Sequence, residues 1–314
     1  MIDRYNHLNS YLKNKFGKRT LKICVDGGFS CPNRDGTKGY GGCIFCGSKG
    51  AGENIKGVLD DRLMSIRNQI EVFLSSYRGE RADNFIVYFQ SFSGTYADID
   101  TLKKLYETAL SVSDKIVGLE VATRPDLINY QIAKMLSLFK DKYYVCVELG
   151  LQTADDDIGN VINRCYSTDD YIKACKILNE FDINTVAHLM VGLPGESEES
   201  ILHTVQVINE SKAKGIKIHN TYVLANTKLQ AMMRNYQYTP ITLEYYVDTV
   251  AKIIKNLDKK IIVHRITGDP PKEDFVAPEW ALHKKIILNS INAKLDRDNI
   301  YQGDRFKEII WRRL

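Results

Sequence analysis

The sequence of 314 residues has no apolar run long enough to cross a membrane. Its longest apolar stretch, around residues 186–193, is far shorter than the roughly 20 residues of a transmembrane helix. Residues 1–17 mix charged, amide and aromatic side chains, and they lack the apolar centre and the small-residue cleavage site of a signal peptide. These absences predict a cytoplasmic chain without a membrane span.

The sequence also lacks a strong excess of charge of either sign. Its formal net charge of +4 is too small to demonstrate nucleic-acid binding by itself, although a local basic patch could still contact phosphates. It has no linker-like tract rich in Gly, Ser or Pro, no internal repeat and no low-complexity segment. The remaining pattern, with 44% hydrophobic and 26% charged residues, is the composition of a globular enzyme with a substantial core.

The seven cysteines form no regular framework, because three of them crowd into residues 31–46 and four stand alone. In a reducing compartment, this odd and uneven set favours metal ligation over disulfides. Cys146, Cys165 and Cys175 have no ligand spacing, and we interpret them as packing residues.

Short β-branched runs alternate with amphipathic helical stretches along most of the chain, which is typical of repeated βα units around a parallel sheet. Six strands are predicted: Leu21–Asp26, Asn84–Phe89, Lys115–Val121, Tyr144–Leu149, Thr185–Val191 and Ile216–Thr221. Six strands indicate an α/β fold built as a partial (β/α)6 barrel of the TIM type. In such a barrel the chemistry lies at the C-terminal ends of the strands.

The regular alternation of strands and helices ends after Tyr238. The sequence there predicts a helix through Leu257, a strand at residues 261–266 and a last helix at residues 278–295. No linker separates this part from the rest of the chain. We therefore interpret residues 1–238 as a core with an N-terminal extension. Residues 239–314 are predicted to form a C-terminal α/β cap that is not an independent domain.

The crowded cysteines, Cys31, Cys43 and Cys46, follow the first predicted strand, so they lie on a loop at a strand's C-terminal end. Glycines at positions 36, 39, 41 and 42 let the backbone wrap closely around a cluster or an ion. Three thiolates leave one site of a four-iron cluster free, whereas a structural zinc site needs a fourth ligand. Only Cys24 is near enough to be that ligand, and inside a strand it is better explained as a small buried hydrophobe.

These motifs resemble those of a known family. The strings DGGFSCPNRDGTKGYGGCIFC, ATRPD, VELGLQT, INR, GLPGES, GIKIH and HRITGD occur in this order and span nearly the whole chain. Together they resemble the radical S-adenosylmethionine (SAM) superfamily. Within it, they are similar to an Elp3-like bacterial family of the YhcC and YtqA type, which is related to tRNA wobble-uridine modification.

The resemblance implies a [4Fe-4S] cluster on Cys31, Cys43 and Cys46, with SAM on the fourth iron and reductive cleavage to a 5′-deoxyadenosyl radical. It implies a SAM site composed of Phe45, Gln90, Ser91, Thr123, Glu148, Gln152, Arg164 and His188, with Arg164 on the SAM carboxylate. Simpler explanations stay open for some of these: a buried polar turn for Gln90 and Ser91, and a satisfied core histidine for His188. Glu148 is the exception, because an acid in an apolar strand is costly to bury without a partner or a ligand.

The function that the resemblance favours is conversion of 5-carboxymethylaminomethyl uridine to 5-aminomethyl uridine at the wobble position of tRNA. A reducing partner such as flavodoxin or ferredoxin is implied. Basic and aromatic residues near the C-terminus could contact RNA, or they could form an ordinary solvated helix: Arg305, Phe306, Lys307, Trp311, Arg312 and Arg313. Two alternatives remain. One is a radical SAM enzyme that acts on a small metabolite or porphyrin, and the other is a non-catalytic RNA-binding protein whose cysteine loop is stabilised by a metal. The sequence does not predict the oligomeric state or the residue that acts on the substrate.

Overall fold

The computed structural model describes residues 3–48, 50 and 55–306. In these ranges the chain forms nine strands: β1 (Thr20–Val25), β2 (Asn84–Phe89), β3 (Ile116–Thr123), β4 (Tyr144–Gln152), β5 (Asn184–Val191), β6 (Gly215–Asn220), β7 (Val223–Leu224), β8 (Ile262–Arg265) and β9 (Phe275–Ala277). The same ranges contain ten α-helices: α1 (Leu8–Phe16), α2 (Arg62–Leu74), α3 (Ile99–Leu110), α4 (Tyr130–Ser137), α5 (Asp156–Val161), α6 (Thr168–Glu180), α7 (Glu198–Glu210), α8 (Lys228–Arg234), α9 (Leu243–Asn256) and α10 (Lys284–Arg297). None of these helices is long and apolar enough to cross a membrane.

Seven strands form one parallel sheet in the order β1-β2-β3-β4-β5-β6-β8. The sheet curls into a half-barrel, which confirms the predicted α/β partial barrel. It has one strand more than the six predicted, because β8, which we assigned to the cap, pairs with β6 from Gly215 and Ile262 onward. Helix α9 connects these two parallel strands as a crossover, so the barrel continues past residue 238. The division into a core and a cap stays a prediction.

The outward face of the sheet is the main hydrophobic core. Side chains alternate between the two faces along each parallel strand, and the outward residues pack against the surrounding helices: Val87, Leu119, Val147, Ala187 and Ile218, all wholly buried. Helices α2, α3, α4, α6 and α7 begin where a side chain accepts a hydrogen bond from the backbone N–H three residues on: Asp61, Asp98, Asn129, Ser167 and Ser197. These caps fix the loops that follow the strands, at the edge of the sheet where the candidate site lies.

The inward face has two zones. Near the N-terminal ends of the strands, Leu12 of α1 packs against inward side chains and closes this end of the half-barrel: Ile86, Tyr144, Cys146 and Val186. Above this apolar plug the inward residues are mostly polar and ionisable. The half-barrel therefore has an apolar base below a polar interior.

The isolated cysteines differ from one another in burial. Cys146 and Cys175 are buried, as expected of packing residues, whereas Cys165 is exposed and that prediction was wrong. Cys165 occupies a left-handed backbone position with φ 58°, in a turn whose carbonyl accepts a hydrogen bond from Arg124.

The C-terminal residues predicted to contact RNA are described only in part. Arg305 and Phe306 lie within the described chain, where the Arg305 backbone N–H donates to the carbonyl of Lys255. Lys307, Trp311, Arg312 and Arg313 lie outside the described residues.

Candidate active site

The cysteine loop, residues 26–48, leaves β1 at the C-terminal edge of the sheet. Its turns are closed by backbone hydrogen bonds, from Arg34 N to Cys31 O at 2.8 Å and from Cys46 N to Cys43 O at 3.0 Å. Gly42 has φ 76°, and a Cβ there would come within 3.0 Å of the Arg34 side chain. The loop therefore requires glycine at this point in order to bring Cys43 back toward Cys31.

The three thiols of the loop lie in one neighbourhood. Burial, with the Cys46 and Cys31 sulfurs nearby, raises the pKa of Cys43 to about 12. Asn33 is wholly buried, its Nδ2 lies 3.8 Å from the Cys43 sulfur, and its Oδ1 has no hydrogen-bond partner among the described residues. Three thiols that form no disulfide, with an amide donor beside one of them, fit an iron-sulfur cluster with one open iron.

Cys24 belongs to a different region. It lies on β1 beside Tyr88 of β2, and the charges nearest to it are those of Lys217 and Lys22 inside the half-barrel. It is therefore not placed as a fourth ligand of the loop, and this disfavours the zinc alternative.

A second polar cluster lies on the inward face, and we call it the inner-face network: Lys22, Tyr88, Glu120, Glu148, His188, Lys217 and His264. Glu148 is at its centre. It accepts hydrogen bonds from Tyr88 Oη and from Lys217 Nζ, the latter at 2.6 Å, and its Oε2 lies 2.8 Å from His188 Nε2. Because these side chains come from β2, β4, β5 and β6, they can meet only on the concave side of the sheet.

Lys22 links the first strand of the sheet to the last one. Its Nζ lies 2.5 Å from Glu120, 3.2 Å from Glu148 and 3.4 Å from Nδ1 of His264 on β8. Ligand atoms of Glu120, Glu148 and His264 all lie within 4.8 Å of one another, which is close enough to hold a metal ion. The Lys22 ammonium contacts all three groups, so it takes the place that a metal cation would need.

Burial and the neighbouring charges shift the pKa values of the two carboxyl groups of this network in opposite directions. Burial, followed by the charge of Glu148, raises the pKa of Glu120 to about 8. Burial alone would also raise the pKa of Glu148, but Lys217 and Lys22 together hold it well below its usual range. Burial lowers the pKa of Lys217. Glu148 is therefore the more strongly ionised carboxylate of the network, and Glu120 takes up a proton more readily than an ordinary glutamate does.

Tyr166 connects the cysteine loop to the inward face. Its hydroxyl donates to the Gly150 carbonyl at 2.7 Å and contacts Oε1 of Gln152 at 2.5 Å. Burial and then the nearby Cys43 raise its pKa, which places the ring beside the cysteines. The Arg124 guanidinium lies 4.7 Å from the ring centroid, and it forms a bidentate pair with Asp126. Gln152 is thus held at the end of β4 by the Tyr166 hydroxyl, and its contact with SAM stays a prediction.

The other residues predicted for the SAM site lie at successive strand ends. Gln90 and Ser91 follow β2, and the buried Ser91 Oγ has no hydrogen-bond partner among the described residues. Thr123 ends β3, with its hydroxyl 2.6 Å from that of Thr95. Phe45 packs at the side of the loop, against a small cluster that includes Ile44 and Leu193. The assignment of all these residues to SAM stays a prediction.

Arg164 is not placed as the resemblance implies. Its side chain is wholly buried, and all five of its N–H groups are engaged. The acceptors are the carbonyls of Leu151, Thr153 and Tyr166, the Asp156 carboxylate and the Thr168 hydroxyl. As placed, the guanidinium fastens residues 151–168 together and offers no free N–H to a SAM carboxylate. Its contact with SAM stays a prediction that this placement does not support.

Sequence reasoning missed most of the inner-face network, namely Lys22, Tyr88, Glu120, Lys217 and His264, and it also missed Tyr166. The available signal was a polar residue at an inward position of an otherwise apolar strand, as in LKICV, GLEVA and IKIH. Among these positions, only Glu148 was predicted from this signal. Extending it to every strand would have found Lys22, Glu120 and Lys217.

The sequence matches the family model of the Radical SAM superfamily over residues 33–208. It matches the model of the Radical_SAM C-terminal domain over residues 213–297. It is 32% identical to the uncharacterized protein YtqA of Bacillus subtilis, over 98% of this chain and 94% of that protein. It is 28% identical to the tRNA uridine(34) acetyltransferase of Dehalococcoides mccartyi, over 58% of this chain but only 39% of that protein.

Two solved structures share the fold at low sequence identity. The archaeal Elp3 of Methanocaldococcus infernus superposes with a TM-score of 0.66 at 18% identity, over 90% of this chain and 64% of that chain. The structure described as native anSMEcpe with bound AdoMet gives a TM-score of 0.50 at 16% identity, over 74% of this chain and 59% of that chain. This chain therefore shares its half-barrel architecture with these two proteins.

Proposed function

Because the chain belongs to the radical SAM superfamily, we propose that it is a tRNA-modifying enzyme acting on the wobble uridine. The proposed reaction converts 5-carboxymethylaminomethyl uridine to 5-aminomethyl uridine. The superfamily's cofactors are a [4Fe-4S] cluster and SAM, which on reduction supply a 5′-deoxyadenosyl radical. A small reducing protein such as flavodoxin or ferredoxin is the proposed electron donor.

The observation that carries this proposal is the match to a protein named for its action on uridine 34 of tRNA. That match covers 58% of this chain and only 39% of the relative, so we do not extend acetyl transfer to this protein. What supports a shared substrate class is a similar barrel in the Elp3 structure, which covers 90% of this chain.

The protein's own residues have three tasks in this proposal. Cys31, Cys43 and Cys46 hold the cluster, and Asn33 directs an amide N–H toward the Cys43 sulfur. Gln90, Ser91, Thr123, Gln152 and His188 hold SAM at the strand ends, with Phe45 at the side of the loop. The apolar base under α1 and the helices around the sheet keep bulk water away from the reacting carbon.

Mass spectrometry of nucleosides from the bulk tRNA of a deletion strain tests the proposal. We expect 5-carboxymethylaminomethyl uridine to accumulate and the aminomethyl products to disappear, and we expect the intact gene to restore them. A gene encoding Cys43→Ala should fail to restore them. An unchanged nucleoside profile, in an organism with no second route to these products, would contradict the proposal and favour a small-metabolite substrate.

A further inference from the structure

We propose that Tyr40, Lys38 and Lys228 bind single-stranded RNA at the outer side of the cysteine loop, with Tyr40 stacking on a base and the lysines contacting phosphates. We call these three residues the outer rim. This inference rests on the proposed function, because it names the surface that holds the nucleotides next to the wobble uridine. The outer rim has no part in the cluster, the SAM site or the inner-face network.

Tyr40 presents an aromatic ring to solvent in a fixed position. The residue is 77% exposed, although it lies on the turn between Cys31 and Cys43. An antiparallel bridge joins Tyr40 to Asp35, and a Cβ at Gly36, whose φ is 91°, would come within 2.7 Å of the ring. The glycine therefore lets the backbone support the ring, while most of the ring stays open to a stacking base.

The two lysines give this turn a surplus of positive charge. Lys228 is exposed at the start of α8, and it forms no ion pair within the described ranges of the chain. Lys38 shares the Asp126 carboxylate with Arg124, at 2.5 and 2.9 Å, and its side chain is 39% exposed, so its ammonium can also reach a phosphate. Even with Asp35 counted, three cations face two carboxylates. Such a surface attracts a polyanion.

Lys228 belongs to the same surface as the turn, although it lies far away in the sequence. The Leu229 backbone N–H donates to the Ile44 carbonyl at 2.9 Å, so α8 begins against the cysteine loop. A Cβ at Gly41 would lie 3.6 Å from Lys228 Nζ, which places this ammonium beside the residue that follows Tyr40. The three side chains of the outer rim therefore lie around one turn, within reach of one short RNA strand.

The outer rim also lies where a substrate base has to pass. The cysteine loop leaves β1 at the C-terminal edge of the sheet, which is the edge at which such barrels carry their chemistry. Nucleotides held at the outer rim would keep a neighbouring base close to the cluster ligands. Stacking and phosphate contacts are tolerant of sequence, and this suits a surface that holds only the neighbours of the reacting base.

The first test measures binding of a synthetic anticodon stem-loop RNA to the cluster-loaded protein, by fluorescence anisotropy at several salt concentrations. Tyr40→Ala should raise Kd about 10-fold because a stacked base is lost, whereas Tyr40→Phe should bind as the wild type does. Lys228→Met should lower the slope of log Kd against log salt by about 0.7, the value for one phosphate of a single strand. Tyr77→Ala is the matched control, because Tyr77 is 71% exposed but precedes β2 at the opposite edge of the sheet. The iron content of each variant shows that its cluster is intact.

The second test uses Cys165 as a reporter and needs no turnover. Cys165 is exposed, and its sulfur would lie 3.0 Å from a Cβ at Gly39, the residue before Tyr40. RNA at the outer rim should slow the alkylation of Cys165 by N-ethylmaleimide several-fold, as measured by peptide mass spectrometry. This protection should weaken in Tyr40→Ala at the same RNA concentration.

The outcomes separate this inference from the proposed function. Protection of Cys165 and weaker binding by the variants support the outer rim, even if a deletion strain keeps a normal nucleoside profile. Unchanged alkylation of Cys165 at saturating RNA overturns the inference, and so does wild-type RNA binding by both Tyr40→Ala and Lys228→Met. Protection of Cys165 by an acidic flavodoxin but not by RNA also overturns it, and assigns the outer rim to the reducing partner.

Discussion

The cysteine loop and the inner-face network are two polar regions of the same half-barrel, and they are assembled in opposite ways. The loop takes its three ligands from residues 31–46, and glycines and backbone turns shape it. The network takes single residues from seven strands, between Lys22 and His264, and ion pairs hold it together. The loop can therefore lose a ligand with little effect on the fold, whereas the network cannot lose its central carboxylate without leaving buried charges unpaired.

Replacement of Glu148 is the strongest test of this difference. Glu148→Leu leaves Lys22 and Lys217 buried without their shared partner, and we expect the free energy of unfolding to fall by about 3–5 kcal/mol. Denaturant unfolding of the cluster-free protein measures this change. The control is Glu198→Leu, because Glu198 pairs with Lys252 on the surface and should contribute less than about 1 kcal/mol. Equal effects of the two substitutions would show that the network does not stabilise the barrel.

Replacement of Arg164 should lower the free energy of unfolding by less than replacement of Glu148 does. It also tests whether Arg164 stabilises the fold or binds SAM. In Arg164→Ala the carbonyls of Leu151 and Thr153 lose their shared donor, and we expect a loss of about 3 kcal/mol in unfolding free energy. The predicted contact with the SAM carboxylate would act differently, by lowering SAM affinity while stability and cluster absorbance stay unchanged. Unfolding curves and SAM binding, measured on the same preparation, distinguish these outcomes.

The contrast also explains how much of the molecule could be predicted. The six βα strands and the three cysteines follow from local patterns, because each pattern lies within one short stretch of sequence. Glu148 was found because an acid in the apolar string VCVELGL needs a partner. Its partner Lys217 was not found, since it lies 69 positions further along the chain and nothing local connects the two.

The strand β8 was misplaced for a related reason. Four residues, Ile262–Arg265, carry too little pattern to show which sheet they join. Their assignment depends on α9, which packs on α7 outside the barrel and returns the chain to the edge of β6. Arg164 shows the opposite limit of prediction from sequence. The motif INR can be recognised in the sequence, but only the fold reveals that carbonyls surround the Arg164 side chain.

The central claim is that Cys31, Cys43 and Cys46 bind the iron-sulfur cluster and that Cys24 does not. Iron content per chain, after anaerobic reconstitution of the wild type and of four single Cys→Ala variants, tests it most directly. We predict about four irons per chain in the wild type and in Cys24→Ala. We predict loss of the cluster in Cys31→Ala, Cys43→Ala and Cys46→Ala. Loss of iron in Cys24→Ala, together with full iron content in Cys31→Ala, would contradict the account.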